Sequence, residues 1–309
     1  MQKKRIQNKI SESRWTTSFV LPISFLVWTL AAYRNITVIL PTVCMLLSTF
    51  LMMRLNHNNG LIRIYSRMVS CSFLVLATLD ATRFTSLSQA IVMLGGVGFF
   101  TSAFMAYQKS VSPGYIFYAF LCVGISSIIW TQVIFFLPIL WIIMSANLLA
   151  MSGRNFVASI LGLLAPYWFL LIYLGITNNL KWFVAHFNKL LEFSQPFNFS
   201  AIPIHQALSL GFIILCSIIG IVHYLRQRRN DSIRTRLFCQ AFINGDIAAI
   251  VFLLLQPQHA NYIQSILIVC TAPLLGHFCA LTKTRFTNWI FCTLGISCII
   301  ITLYNIWIF

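Results

Sequence analysis

The stretch Leu237–Gln256, LFCQAFINGDIAAIVFLLLQ, decides what kind of protein this is. Its twenty residues are apolar apart from Gln240, the terminal Gln256 and a polar centre, Asn244-Gly245-Asp246. At a rise of about 1.5 Å per residue, such a helix is about 30 Å long, the thickness of a bilayer's hydrocarbon core. Asp246 then lies roughly 15 Å from either end. A carboxylate at that depth costs at least about 2.5–3.5 kcal/mol if it faces lipid, so it must face protein or water. Asp246, Asn244 and Gln240 therefore form a candidate polar core, with two readings. They supply interhelical hydrogen bonds that hold a bundle together, or Asp246 couples a proton or cation to transport.

The rest of the chain has the same character. Of 309 residues, 59% are hydrophobic and 8% charged, far from the roughly one-quarter charged of soluble domains. No long polar stretch is present from which a soluble domain would form. We therefore read residues 1–15 as a basic cytoplasmic tail and 16–309 as a single transmembrane domain. The net charge of +16 does not point to nucleic acid, because the bases stand in short clusters between apolar runs rather than in a basic module. The nine cysteines all fall in apolar runs without a Cys-x-x-Cys pair, so neither a metal site nor a disulfide framework is expected. No cofactor motif is found.

Apolar runs of helix length predict spans near 16–33, 36–53, 68–86, 88–107, 115–130, 131–149, 155–176, 206–225, 237–256, 260–280 and 287–308. The fold class is thus all-α: a polytopic transmembrane bundle of about eleven spans. The cut at Trp130–Thr131 has no Gly or Pro to mark it, and rests on charge. With it, and with the N-terminus inside, seventeen of the 21 Lys and Arg residues fall on the cytoplasmic side, as the positive-inside rule requires. Without it the two faces carry almost equal charge. This places the N-terminus in and the C-terminus out. Between spans, 179–194 sets Leu180, Phe183, Val184, Phe187, Leu190 and Leu191 on one helical face. That pattern predicts an amphipathic helix in the outer interface, anchored by Trp182, or a lid packed on the bundle.

Few side chains are available for chemistry. Asp80 and Arg83, at the outer end of the third predicted span, stand at an i, i+3 spacing that allows pairing on one helical face. They are either an interfacial ion pair or a catalytic pocket in which Arg83 holds an anionic group such as a phosphate and Asp80 acts as a base or metal ligand. Glu12 and Asp231 lie among cytoplasmic bases and are expected to be their solvated partners. The histidines do not cluster in sequence, and most are expected at interfaces. Gly95-Gly96-Val97-Gly98 suits close helix packing, and Pro41, Pro138, Pro166 and Pro273 are predicted to kink their spans.

Arg154-Asn155-Phe156 leading into Gly162-Leu163-Leu164-Ala165-Pro166-Tyr167-Trp168, the hairpin with Trp130, Gln132 and Pro138, and Pro273-Leu274-Leu275-Gly276-His277 resemble a bacterial family of polytopic inner-membrane proteins of unknown function. The likeness is one of pattern, over about residues 65–309. It implies a multi-pass protein of the bacterial inner membrane and no catalytic residues. The chain also resembles membrane glycosyltransferases that use polyprenyl-linked sugars, which have a similar number of spans and outer interfacial helices. Those enzymes carry acids in a long first outer loop. Here that loop is Tyr33-Arg34-Asn35, and Asp80 and Glu192 take the acids' place if the first hairpin is an addition. Three functions follow as expectations. One is envelope biogenesis on a lipid-linked or anionic substrate at the outer leaflet, the second a proton- or cation-coupled transporter, and the third a structural membrane subunit. The expected partners are the lipid bilayer and a lipid-linked substrate.

Overall fold

The computed structural model describes residues 5–32, 38–80, 86–193, 195–200, 202–282 and 284–308, and every element among them is helical. A short α1 (Ile6–Glu12) precedes α2 (Thr16–Ala32), α3 (Ile39–Asn59), α4 (Met68–Thr78), α5 (Leu87–Ala103) and α6 (Pro113–Ile129). A broken segment follows, a 3-10 turn (Thr131–Phe136), α7 (Leu137–Ile142) and a π-turn (Ile143–Asn147). Then come α8 (Gly153–Ile176), α9 (Leu180–Asn188), α10 (Ile204–Gln227), α11 (Ile233–Leu255), α12 (Ala260–Leu281) and α13 (Arg285–Ile308). Among the described residues, seven helices are long and apolar enough to cross a membrane. The chain is a multi-span helical membrane protein.

Local chemistry sets the helix ends. Gly60 closes α3 in the left-handed region at φ 58°, its N–H donating to the Asn56 carbonyl; only glycine takes that conformation freely. Ser152 and Ser232 cap α8 and α11 by accepting from the N–H groups of Asn155 and Thr235. The break between α6 and the next segment falls at Trp130, whose backbone is extended (φ −131°, ψ 98°). Charge alone located that cut. Its ring, buried, stacks on Tyr262 with centroids 5.2 Å apart.

Several expectations are corrected. Pro138 stands in the first turn of α7 and Pro41 in that of α3, where a missing N–H removes no helical bond, so they start helices rather than kink them. Pro166 and Pro273 do lie inside α8 and α12. The third predicted span is a helix of 11 residues that stops at Thr78, about 16 Å long. Within the stretch read as a basic tail, α1 is docked on the bundle. Gln7 Nε2 donates to the Cys279 carbonyl (3.0 Å) and to Thr282 Oγ1, and Ser66 Oγ donates to the Ser11 carbonyl (2.8 Å).

The centre of the bundle is α12, packed against α4, α5, α10 and α11, with α13 on the rim against α10. Close approach needs small residues. A Cβ on Gly276 would stand 2.9 Å from the Val69 backbone of α4. The glycine run of α5 is used in the same way: a Cβ on Gly98 would meet Cys122 Sγ of α6 at 2.8 Å. Beside these contacts lies an aromatic core in which Phe104 and Phe238 stack at 4.1 Å and Phe100 and Phe242 meet at 4.6 Å.

Candidate functional site

Asp246 sits near the middle of α11, fully buried, facing α10 and α12. Ser217 Oγ of α10 donates to its Oδ2 at 2.8 Å, and Thr271 Oγ1 of α12 approaches both carboxyl oxygens at 3.1 and 3.2 Å. One carboxyl group thus ties three helices together. Among the described residues no basic side chain forms an ion pair with it. Gly245 beside it keeps α11 close to α12, where an added Cβ would meet Cys270 Sγ at 2.8 Å.

The other two members of the expected polar core face elsewhere. Asn244 Nδ2 donates to Asn147 Oδ1 of the π-turn at 3.0 Å, and Gln240 is exposed one turn earlier on the same face. At about 100° per residue, a separation of two positions puts Asn244 and Asp246 on opposite sides of the helix. The three residues are neighbours in sequence and belong to two surroundings.

Asp80 lies just past the end of α4 and is buried. Beside it, Asn305 Nδ2 of α13 donates to the Leu79 carbonyl and to Ser209 Oγ of α10. Arg83 lies outside the described residues, so the expected pair of Asp80 and Arg83 remains an expectation.

The amphipathic helix is α9, extended by a 3-10 turn at Lys189–Leu191. It docks through Phe183, His186, Phe187 and Leu190, while Leu180, Val184 and Leu191 stay exposed. Phe187 meets the Tyr167 ring of α8 at 5.4 Å, and His186 Nε2 reaches the Ser127 carbonyl at 3.2 Å. Burial lowers the His186 pKa below the ordinary 6.5; the Ser127 carbonyl opposes that shift and the Lys189 charge adds to it. His186 was expected at an interface and is buried instead.

The expectation for Asp231 is also overturned. It is buried rather than solvated, and its Oδ2 stands 3.1 Å from Nε2 of the buried His277 on α12. His223 of α10 packs beside His277 with ring centroids 5.5 Å apart. The signal available in the sequence was that both residues fall at the same predicted end of the bundle. Their pairing needs the α10–α11 turn folded against α12, which no spacing reports.

Two grooves are open on the sides of α11. One, of about 540 Å³, is lined by Phe135, Phe193, Pro196, Phe252, Leu255 and Gln256 at the C-terminal end of the helix. It continues as a space of about 200 Å³ along Phe136, Ile139, Ala248 and Val251. The other, of about 460 Å³, lies between α10 and α11 at the opposite end, with Arg228, Arg229 and Arg236 at its mouth and Ile243 and Asn244 at its floor. A further cavity of about 590 Å³ under residues 60–67 holds Arg54, His57, Arg63 and Arg67. Neither Asp80 nor Asp246 lines any of these spaces. The arginines were read from the sequence only as markers of a membrane face. Compared with known proteins, the chain matches no family model, no curated protein and no solved structure, and stands as a multi-span helical membrane protein.

Proposed function

We propose that this chain is a multi-pass protein of the bacterial inner membrane that acts on a long-chain, lipid-linked anionic substrate at the outer leaflet, as in envelope biogenesis. The observation that supports this reading best is the aromatic groove beside Phe135 and Phe252. It opens sideways along α11, it is apolar over its length, and Gln256 supplies an amide at its end. Its rim is closed by Phe193 and Pro196, the residues that follow the docked interfacial helix. A flexible hydrocarbon tail suits such a space, because it fills apolar volume and leaves its headgroup at the interface. With the eleven crossings and cytoplasmic basic face read from the sequence, this groove would lie in the outer half of the bilayer. Asp80, which does not line this groove, and Arg83 remain the proposed reacting pair, Asp80 as base and Arg83 as anion holder, in a glycosyltransferase-like reaction on a headgroup that extends beyond it.

The test is crosslinking from inside the groove. A photoreactive phenylalanine analogue at position 135 or 252 of the full chain should capture a lipid-linked phosphate, identified by mass spectrometry, well beyond its share of the membrane. Capture of bulk phospholipids in their ambient ratio ends this reading. Turnover of the captured lipid should then be lost in Asp80→Asn.

A second reading is favoured by Asp246 itself, a mid-bundle carboxyl held by two hydroxyls and, among the described residues, by no basic side chain. Such a group is suited to coupling a proton or Na⁺. Sodium alone should then raise the melting temperature of the wild-type chain and leave Asp246→Asn unchanged. An equal response of both proteins leaves Asp246 as a structural tie between helices, in keeping with a membrane subunit that has no site of its own.

A further inference from the structure

At the arginine-rich end, the α10–α11 groove has the form of an amphiphile site. Arg228 and Arg229 stand on the 3-10 turn after α10 and Arg236 on the first turns of α11. Their backbone settings converge on one opening. Arg236 is also positioned: its Nε donates to the Asp231 carbonyl at 3.1 Å, and its own carbonyl accepts from the Tyr224 hydroxyl at 2.9 Å. A guanidinium held by Nε keeps its two terminal nitrogens free, the fork that matches two phosphate oxygens.

The nearby carboxylate, Asp231, is turned inward to His277, and among the described residues no carboxylate forms an ion pair with Arg228, Arg229 or Arg236. The positive end of α11 begins at the same place, with Ile233 lining the groove. Behind the arginines the wall becomes apolar. Leu225 is 51% and Ile233 67% exposed, and Leu237 and Ile243 lead inward to Asn244, about 12 Å along the helix from Arg236. A soluble anion uses the mouth and leaves that wall bare. A phospholipid uses both.

We propose that this groove binds an anionic phospholipid of the leaflet at the basic face, its phosphate held by Arg228, Arg229 and Arg236 and the start of one acyl chain laid along Leu237 and Ile243. The site is separate from the aromatic groove at the other end of α11 and does not depend on its function.

The full chain, reconstituted in nanodiscs of mixed phosphatidylglycerol and phosphatidylcholine, should retain phosphatidylglycerol selectively when released for native mass spectrometry. The R228Q/R229Q/R236Q variant should weaken that binding on the order of a hundredfold, given about one kcal/mol per basic residue at a charged membrane surface. Leu237→Trp, which fills the apolar wall and keeps every charge, should also weaken it. Phosphatidylcholine retained equally by the wild type overturns the proposal, and that measurement requires no variant to fold. Inorganic phosphate or pyrophosphate binding that depends on the arginines, with phosphatidylglycerol unaffected by Leu237→Trp, identifies a soluble anion as the ligand and overturns it too.

Discussion

Helices α12 and α13 are close in length, 22 and 24 residues, and both are apolar. Yet 94% of the most apolar stretch of α12 is buried inside the bundle, against 11% for α13. The difference lies in what the small and polar residues between the apolar ones meet. In α12 these are Gln264, Ser265, Thr271, Gly276 and His277, all buried. In α13 Thr293 bonds back to the Ile290 carbonyl of its own helix and Gly295 meets no neighbour, while Phe286, Trp289, Tyr304 and Trp307 are exposed. Lipid and protein interior are equally apolar, so hydrophobicity does not separate a core helix from a rim helix in a membrane. Neighbours do: small residues count where another backbone approaches them, and polar residues where they find a partner on another helix.

The largest effect that would break this comparison is at Gly276. Gly276→Leu forces a side chain into the Val69 backbone and should destabilise the protein by about 3 kcal/mol, the upper end for overpacking. Gly295→Leu on α13, where a Cβ meets nothing within 4 Å, should stay within about 0.5 kcal/mol of wild type. Thermal unfolding of the two variants in the same detergent checks the pair, and equal melting temperatures contradict the contrast.

Next is the tie at Asp246. Asp246→Ala leaves Ser217 and Thr271 without their acceptor and should cost about 2 kcal/mol, with Asp246→Asn costing about half as much. If Asp246→Ala melts like wild type, the tie carries no stability.

A smaller effect is expected where α1 joins α12. Gln7→Ala removes the bonds to Cys279 and Thr282, with a loss of about 1 kcal/mol. Hydrogen exchange should then quicken over residues 6–12 and stay unchanged in α13. Uniform exchange across both helices would remove α1 from the core's periphery.

The pH dependence of α9 sharpens the contrast from the bundle's edge. His186 has a lowered pKa in the folded protein, so below the ordinary value of 6.5 the undocked helix binds more protons than the docked one. Docking is fully supported above that value and weakens as pH falls through it. A cysteine placed at Val184 serves as the outward reference and one at Phe187 as the reporter. Labelling at position 187 should rise below pH 6.5 in the wild-type background and be flat in His186→Gln. The smallest change is expected at Trp307, 90% exposed; Trp307→Ala should leave the melting temperature where it is.

Much of the architecture was legible in sequence. Helices occur in the structure over each predicted run, and the break after Trp130 was located by balancing lysine and arginine between two faces. Element ends were less legible. The run 68–86 is apolar throughout its first half, yet α4 ends at Thr78. Of the candidate site, the burial of Asp246 followed from depth, but its partners did not. Ser217 and Thr271 are ordinary hydroxyls in apolar runs, and their roles appear only when α10 and α12 are brought to α11. Asp231 is the reverse case: one acid among five nearby arginines suggested a solvated pair, and the fold turned it inward to His277.

Composition and run length by themselves determined that this chain is helical and belongs in a membrane, because each backbone amide in lipid must be satisfied within its own segment. Tertiary structure alone decided which apolar helix is central, which face of α11 holds Asp246 and which holds Asn244, and where arginines line a groove rather than merely mark a surface. Those outcomes depend on contacts between residues far apart in the chain, and a local measure of apolarity carries no information about them.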